Sequence, residues 1–219
     1  MNSGCPTISV IMSVYNTNKS FLAEAIESIL NQTYPNFEFI IIDDNSTDGS
    51  LSIIEQYMSK DDRIVLIKNK TNIGLTKSLN KGLKLAKGQY IARMDADDVS
   101  LPDRFKQQIE YMENNSHVTV IGGIAYSGAE VTNRWFNENT KIEKALFLFG
   151  NAGIAHPTAF IRKSFLDFHH IKYDENLKKS QDYALWLDIV QQGGVIQRLP
   201  EFVLKYRIHE GQISKASSD

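Results

Sequence analysis

The chain has 219 residues, 42% hydrophobic and 23% charged, with 24 Lys and Arg against 26 Asp and Glu for a net charge of −2. This is an ordinary globular composition, long enough for one large domain, and it lacks the basic face that a nucleic-acid binder carries. The single cysteine, Cys5, excludes an internal disulfide and suits a reducing compartment. No apolar run approaches the roughly 18 residues of a membrane span, and the opening Met-Asn-Ser-Gly-Cys-Pro has neither region of a signal peptide. A cytoplasmic location is therefore expected.

The first predicted element is a buried parallel strand over Ile8 to Val14, a β-rich apolar run. Leu22, Ile26, Ile29 and Leu30 follow at helical spacing. Phe37 to Ile42 is a second strand, and the polar stretch Asp43 to Gly49 after it has the chemistry of a loop and a helix cap. Leu51, Ile54 and Met58 mark a second helix, and Ile64 to Ile67 a third strand. Leu75, Leu79, Leu83 and Ala86 mark a third helix, with Gly88 expected in its C-terminal cap. Gln89 to Met94 is the fourth strand. This alternation describes βαβ units on a parallel sheet.

The second half is less regular. A helix is predicted from Pro102 to about Asn114, and a strand from Val118 to Ile121 ending at Gly122-Gly123. Another helix is expected over Thr140 to Phe149, a strand after His156-Pro157, and a helix beginning near Gln181-Asp182. Val195 to Leu199 and Phe202 to Ile208 read as two strands. No repeat or linker divides the chain, so a single domain is expected over residues 1–219.

Parallel sheets bind ligands at the carboxyl ends of their strands. Three polar clusters fall at such ends: Ser13 to Asn16, Asp43 to Asn45, and Asp95-Ala96-Asp97-Asp98. Like charges as close as those of Asp95, Asp97 and Asp98 repel, and oxygen ligands of this kind suit Mg²⁺ or Mn²⁺. The alternative is a solvated acidic turn, with Asp103 capping the next helix or pairing with Arg93 or Arg104. Asp44 suits a nucleobase or ribose, or else a helix cap; Tyr15 suits a base, or rim packing. Asp182 is either a general base or a carboxylate stabilised at a helix N-terminus. His209 is either a metal ligand or a surface residue, His156 stays open in the same way, and Trp135 and Trp186 read as core or rim. No glycine cradle for phosphates follows the first strand, so a bound nucleotide would be held through a metal.

Several stretches together resemble the family 2 glycosyltransferases: Ile8-Ser-Val-Ile-Met-Ser-Val-Tyr15-Asn16, Ser28 to Tyr34, Ile42-Asp-Asp-Asn-Ser-Thr-Asp48-Gly49, Asn72 to Gly82, and Gly88 to Asp98. The resemblance covers nearly the whole chain. It implies a GT-A fold, an α/β architecture whose Rossmann-like, mostly parallel central sheet is flanked by helices. Residues 1–100 would form the nucleotide-sugar-binding half and residues 101–219 the acceptor-binding half. It implies inverting transfer from a UDP-sugar donor to a glycan or lipid-linked acceptor, as in bacterial polysaccharide biosynthesis, with peripheral contact at the inner face of the membrane. By the same resemblance Ser13, Tyr15 and Asp44 hold the uridine, and Asp95 lies near ribose and metal. Asp97 binds Mn²⁺ or Mg²⁺, Asp182 is the catalytic base, and His209 and Ser214 belong to a segment that closes over the donor diphosphate, with His209 a second candidate metal ligand. Gln181 stands where many relatives have Glu. Two alternatives accompany this reading, a non-catalytic nucleotide-sugar-binding relative and a sugar-nucleotide pyrophosphorylase. The second would need a Gly-rich basic loop, and Ser13 to Ser20 offers one lysine and no glycine.

Overall fold

Two apolar runs of the chain lie side by side in the sheet. Ile8–Val14 (β1) and Phe37–Asp43 (β2) pair in parallel from Ile8↔Phe37 to Val14↔Asp43, so both end at the same edge. Neither alternates polar with apolar, because both faces are covered. Val10, Met12, Phe39 and Ile41 enter one buried cluster, and Ile11, Ile40 and Ile42 enter the other. Helices Lys19–Leu30 (α1), Ser50–Met58 (α2) and Arg104–Asn114 (α4) feed the first cluster through Leu22, Ile26, Ile54, Phe105 and Ile109. Leu75–Leu85 (α3) and Gln181–Gln191 (α6) feed the second through Leu79, Leu185, Trp186 and Ile189. A short helix, Lys163–His169 (α5), adds Leu166.

This computed structural model describes residues 5–127, 130–131, 154–177, 179–210 and 212. Within them the sheet is completed by Ile64–Lys68 (β3), Tyr90–Arg93 (β4), Val99–Ser100 (β5), Val120–Ser127 (β6), Glu130–Val131 (β7), Phe160–Arg162 (β8) and Ile196–Lys205 (β9). The strand order is β3-β2-β1-β4-β8-β6-β9-β5, with β7 paired to β6. The block β3-β2-β1-β4 is parallel throughout, as the alternating first half implies. Beyond it the sheet is mixed: β8 runs antiparallel to β4 and β6, β9 parallel to β6, and β5 antiparallel to β9.

The structure departs from the sequence expectations in identifiable ways. Gly88 is not the cap of α3, which ends at the C-cap Ala86. It lies against β1, where a Cβ would come within 2.5 Å of Ser9 N and 2.6 Å of Ile8 C. The strand expected to stop at Gly122-Gly123 runs on to Ser127, because pairing with β9 outweighs the breakers and Val203 packs where a Cβ of Gly123 would be. The two C-terminal strands are one, β9; its register with β6 jumps from Gly122↔Arg198 to Ile124↔Phe202, and the bulge so formed accommodates Pro200. The helix expected over Thr140 to Phe149, with Trp135, lies outside the described residues.

Candidate active site

The chain leaves β1 toward β2 and β3 on one side and returns to β4 on the other, so the carboxyl ends of β1 and β4 diverge at a topological switch point. A cleft of about 1190 Å³ opens there. Ser13, Tyr15, Asp44, Asp95, Asp97, Asp182 and His209, from five separate stretches of sequence, all line it. Of the candidate oxygen ligands named from sequence, Asp98 does not line the cleft, and Ser214 lies outside the described residues.

On the β2 side, Asp44 is buried, and it does not cap α2. Its Oδ1 accepts from Asn69 Nδ2 at 2.8 Å and Ile73 N at 2.9 Å, and its Oδ2 accepts from Gly74 N at 2.8 Å. Asp44 thus holds the turn into α3. Work at the start of α2 falls to its neighbours: Asp43 accepts from Ser46 N and Asp48 from Ser50 N. The end of β1 is tied to the same loop, with Asn16 Oδ1 accepting from Thr47 N at 2.8 Å. Tyr15 stays half exposed at the rim.

The acidic cluster after β4 resolves into three different carboxylates. Asp95 forms an ion pair with the buried Arg93 guanidinium. Burial works against the Arg93 charge, but Asp95, Tyr173 and Asp98 together outweigh it and the guanidinium is held above its ordinary range. Asp95 itself is pushed up by desolvation despite Arg93. Asp98 is fully buried, and that burial, with the charge of Asp95, raises it to about 8. Its Oδ1 accepts from Arg207 N at 2.9 Å. Asp97 also meets the C-terminal segment, with its Oδ2 2.8 Å from His209 Nε2. Asp103 pairs with neither arginine named for it. It accepts from Thr33 Oγ1 at 2.8 Å, while the buried Arg104 bonds Gln108 and the Arg93 carbonyl.

The C-terminal segment is fastened over this loop. Arg207 Nε donates to Asp97 O at 2.7 Å, its Nη2 to Glu24 at 2.8 Å, and its guanidinium lies 4.2 Å from the Phe21 ring centroid. Gln212 Nε2 then donates to the Arg207 carbonyl. Asp97 and His209 together offer one oxygen and one nitrogen donor, and among the described residues no cluster of three His, Cys, Asp or Glu surrounds them. Such a pair fits a Mn²⁺ or Mg²⁺ ion that takes its other ligands from phosphate oxygens and water.

Across the cleft, Asp182 sits in the first turn of α6, behind Ser180 with its φ of 58° and no side-chain cap bond. Its charge is felt by Asp95 and by the buried Tyr173. Tyr173 Oη lies 2.7 Å from Nε2 of His156, whose imidazole is held well below its usual range by burial and then by Arg93. The roles of Arg93, Tyr173 and Arg207 escaped sequence reasoning. Arg93 and Arg207 left traces, the one as a charge at the end of an otherwise apolar strand beside the acidic cluster, the other as a member of the segment Tyr206-Arg207-Ile208-His209.

A switch-point cleft with a carboxylate–imidazole pair on one wall and an acidic helix start on the other, on this sheet, is the architecture of a GT-A glycosyltransferase. The chain belongs to glycosyl transferase family 2, whose family model matches residues 9–169. It is 38% identical over 208 residues to an uncharacterized glycosyltransferase of Methanocaldococcus jannaschii, covering 93% of this chain and 71% of that protein. It is 32% identical over 218 residues to the Escherichia coli UDP-Glc:alpha-D-GlcNAc-diphosphoundecaprenol beta-1,3-glucosyltransferase WfaP, covering 94% and 79%. Among solved structures it resembles S. aureus TarS 1–349 in complex with UDP-GlcNAc, with a TM-score of 0.83 at 24% identity over 97% of this chain. It also resembles a Pyrobaculum calidifontis mannosyltransferase in complex with GDP-Man and Mn²⁺, with a TM-score of 0.73 at 16% identity over 95% of this chain. The chain spans 62% and 59% of those two solved chains.

Proposed function

We propose that this protein transfers a sugar from a UDP-sugar, with inversion, to a hydroxyl of a glycan or lipid-linked acceptor in polysaccharide biosynthesis at the cytoplasmic face of the membrane. Residues 1–100 hold the nucleotide and residues 101–219 the acceptor. The observation that carries this reading is the convergence of Asp182 with Asp95, Asp97 and His209 in one cleft at the switch point. The UDP and UDP-GlcNAc complexes of TarS, and the UDP-Glc donor in the name of the Escherichia coli relative, favour uridine.

The residues divide the work. An ionised carboxylate has about four acceptor positions, and Asp44 uses three on Asn69, Ile73 and Gly74. The remaining one suits the N–H of a uracil. Tyr15, exposed at the rim beside it, suits stacking on the base; Ser13 and Asp95 complete the nucleoside contacts. Asp97 and His209 would hold the divalent cation, which when bound supplies Lewis-acid neutralisation of the leaving diphosphate. Arg207, fastened to Glu24 and Phe21, keeps His209 over that position and screens it from water. Asp182 accepts the acceptor hydroxyl proton as that oxygen bonds to the anomeric carbon and the bond to the diphosphate oxygen breaks. With the leaving group neutralised this way, one carboxylate suffices, whereas a glycosidase needs two.

Asp182→Asn tests the reading. Release of UDP from a UDP-sugar in the presence of acceptor should fall by about 10²- to 10⁴-fold, with UDP affinity unchanged. Undiminished transfer would remove Asp182 from the chemistry. A wild-type protein that binds UDP and transfers nothing to any hydroxyl would instead make it a binding relative of the family.

A further inference from the structure

We propose that Asn80, on α3, is a positioning residue for the base helix, setting Asp182 in register with the donor. The inference rests on the reading of Asp182 as the base. At the start of α6, Ser180 is in the left-handed region and offers no side-chain cap. The segment before it is held from outside. Asn80 Oδ1 accepts from Tyr173 N at 3.0 Å, and Asn80 Nδ2 donates to Tyr173 O at 2.9 Å and to Glu175 Oε1 at 3.0 Å. One turn earlier on the same face of α3, Thr76 Oγ1 donates to Leu177 O at 3.2 Å.

The Tyr173 side chain is gripped from the opposite direction. It is buried, its hydroxyl meets His156, and the His156 ring packs edge-on to Trp186 of α6 at 6.2 Å. The run from Tyr173 to Leu177 therefore cannot shift without breaking bonds to α3 on one side and the His156 contact on the other. The N-cap of the same helix is Gly74, whose N–H sits on Asp44. A single rigid helix thus joins the carboxylate assigned to the base moiety of the donor to the segment that delivers the catalytic carboxylate. Asn80 forms the joint through both of its amide atoms, which no aliphatic side chain can replace. Displacement of a catalytic group by about 1 Å costs on the order of 10²-fold in rate, so the joint acts on turnover and leaves binding alone.

The experiment is a steady-state comparison of wild type, Asp182→Asn, Asn80→Ala and Thr76→Val with a UDP-sugar, Mn²⁺ and a hydroxyl acceptor, alongside titration of UDP and Mn²⁺. Asn80→Ala is expected to lower kcat about tenfold or more, with donor KM and UDP affinity within about twofold of wild type. Thr76→Val keeps the shape and loses one bond, so a smaller kcat loss with the same split is expected. It carries the test alone if Asn80→Ala does not fold. Unchanged kcat in a folded variant overturns the inference, and so does a kcat loss matched by an equal loss of UDP affinity. Transfer abolished in Asp182→Asn but intact in Asn80→Ala defeats the positioning role only. Transfer intact in Asp182→Asn defeats the base assignment and this inference with it.

Discussion

Asp44 shows how much a single carboxylate does before any ligand arrives. Removing it in Asp44→Ala takes away the acceptor of Ile73 N and leaves Gly74 N only Asn72 Oδ1 and Asn69 Nδ2 only Ser78 Oγ. Unfolding in urea should therefore report a loss of about 1–3 kcal/mol even without nucleotide; an unchanged midpoint would mean the turn into α3 is held by other bonds. His156 makes a pH-dependent prediction of definite sign. Its folded-state pKa is lowered, so below the ordinary value of 6.5 the unfolded chain takes up a proton that the folded chain refuses. Stability is then lost as pH falls through 6.5 toward the low folded value, by at most about 1.4 kcal/mol per unit. His156→Gln keeps a polar group toward Tyr173 and has no proton to gain. Its melting temperature should fall less steeply than that of wild type between pH 7 and pH 5 (roughly the range in which a free histidine titrates), and parallel curves would show that another group sets the slope. At this scale the sequence exposes residue type but not partners. Asp44, Asp95, Asp97 and Asp182 stand out as acidic residues at element ends, whereas Tyr173 reads as a bland loop aromatic because its contacts come from Asn80 and His156, 93 and 17 positions away.

Secondary elements were legible wherever one local signal agreed with the final environment. β1 to β4 and α1 to α3 come from apolar runs and helical stripes that the buried clusters then use on both faces. The exceptions are elements whose ends are decided by a distant partner. β6 continues through two glycines because β9 lies alongside it, and β9 carries Pro200 through a bulge. Gly88 is the sharper instance, since its position suggests a cap while the structure uses it for close approach of the α3–β4 connection to β1. Its N–H donates to Ser9 Oγ at 2.8 Å, and Ser9 Oγ in turn donates to the buried Glu38 at 2.6 Å. Gly88→Ala places a methyl group against the β1 backbone, which has no rotamer through which to yield. A loss of about 3 kcal/mol or more in urea unfolding is expected, at the upper end of overpacking costs. No loss, or a gain of up to about 1 kcal/mol from the lower backbone entropy of the unfolded chain, would mean that the β1 backbone gives way to the methyl group.

At the scale of the whole molecule, the cleft proposed to hold the nucleotide is assembled from parts that separate on unfolding: the ends of β1 and β2, the loop after β4, and the segment around His209. A ligand that touches all of them binds only the folded chain, so its binding energy adds to global stability. At 100 times its dissociation constant it adds about 2.7 kcal/mol. For a domain of this size that is a rise of roughly 5–10 °C in melting temperature. The rise is expected with UDP and Mn²⁺ together and should be small with either alone, because the Asp97–His209 pair would supply two donors and a diphosphate the others. Chelation with EDTA should reverse it, and Asp97→Asn should abolish the metal dependence while retaining a folded protein, since that side chain is partly exposed and its partner His209 stays hydrated. Comparison with GDP and Mn²⁺ separates the two donor classes represented among the structural neighbours. A larger rise with GDP would place a guanine beside Asp44 and Tyr15 and revise the donor. A rise with UDP that ignored Mn²⁺, EDTA and Asp97→Asn alike would move the diphosphate off the acidic loop, leaving Arg93 as the nearest buried cation in the cleft to receive it.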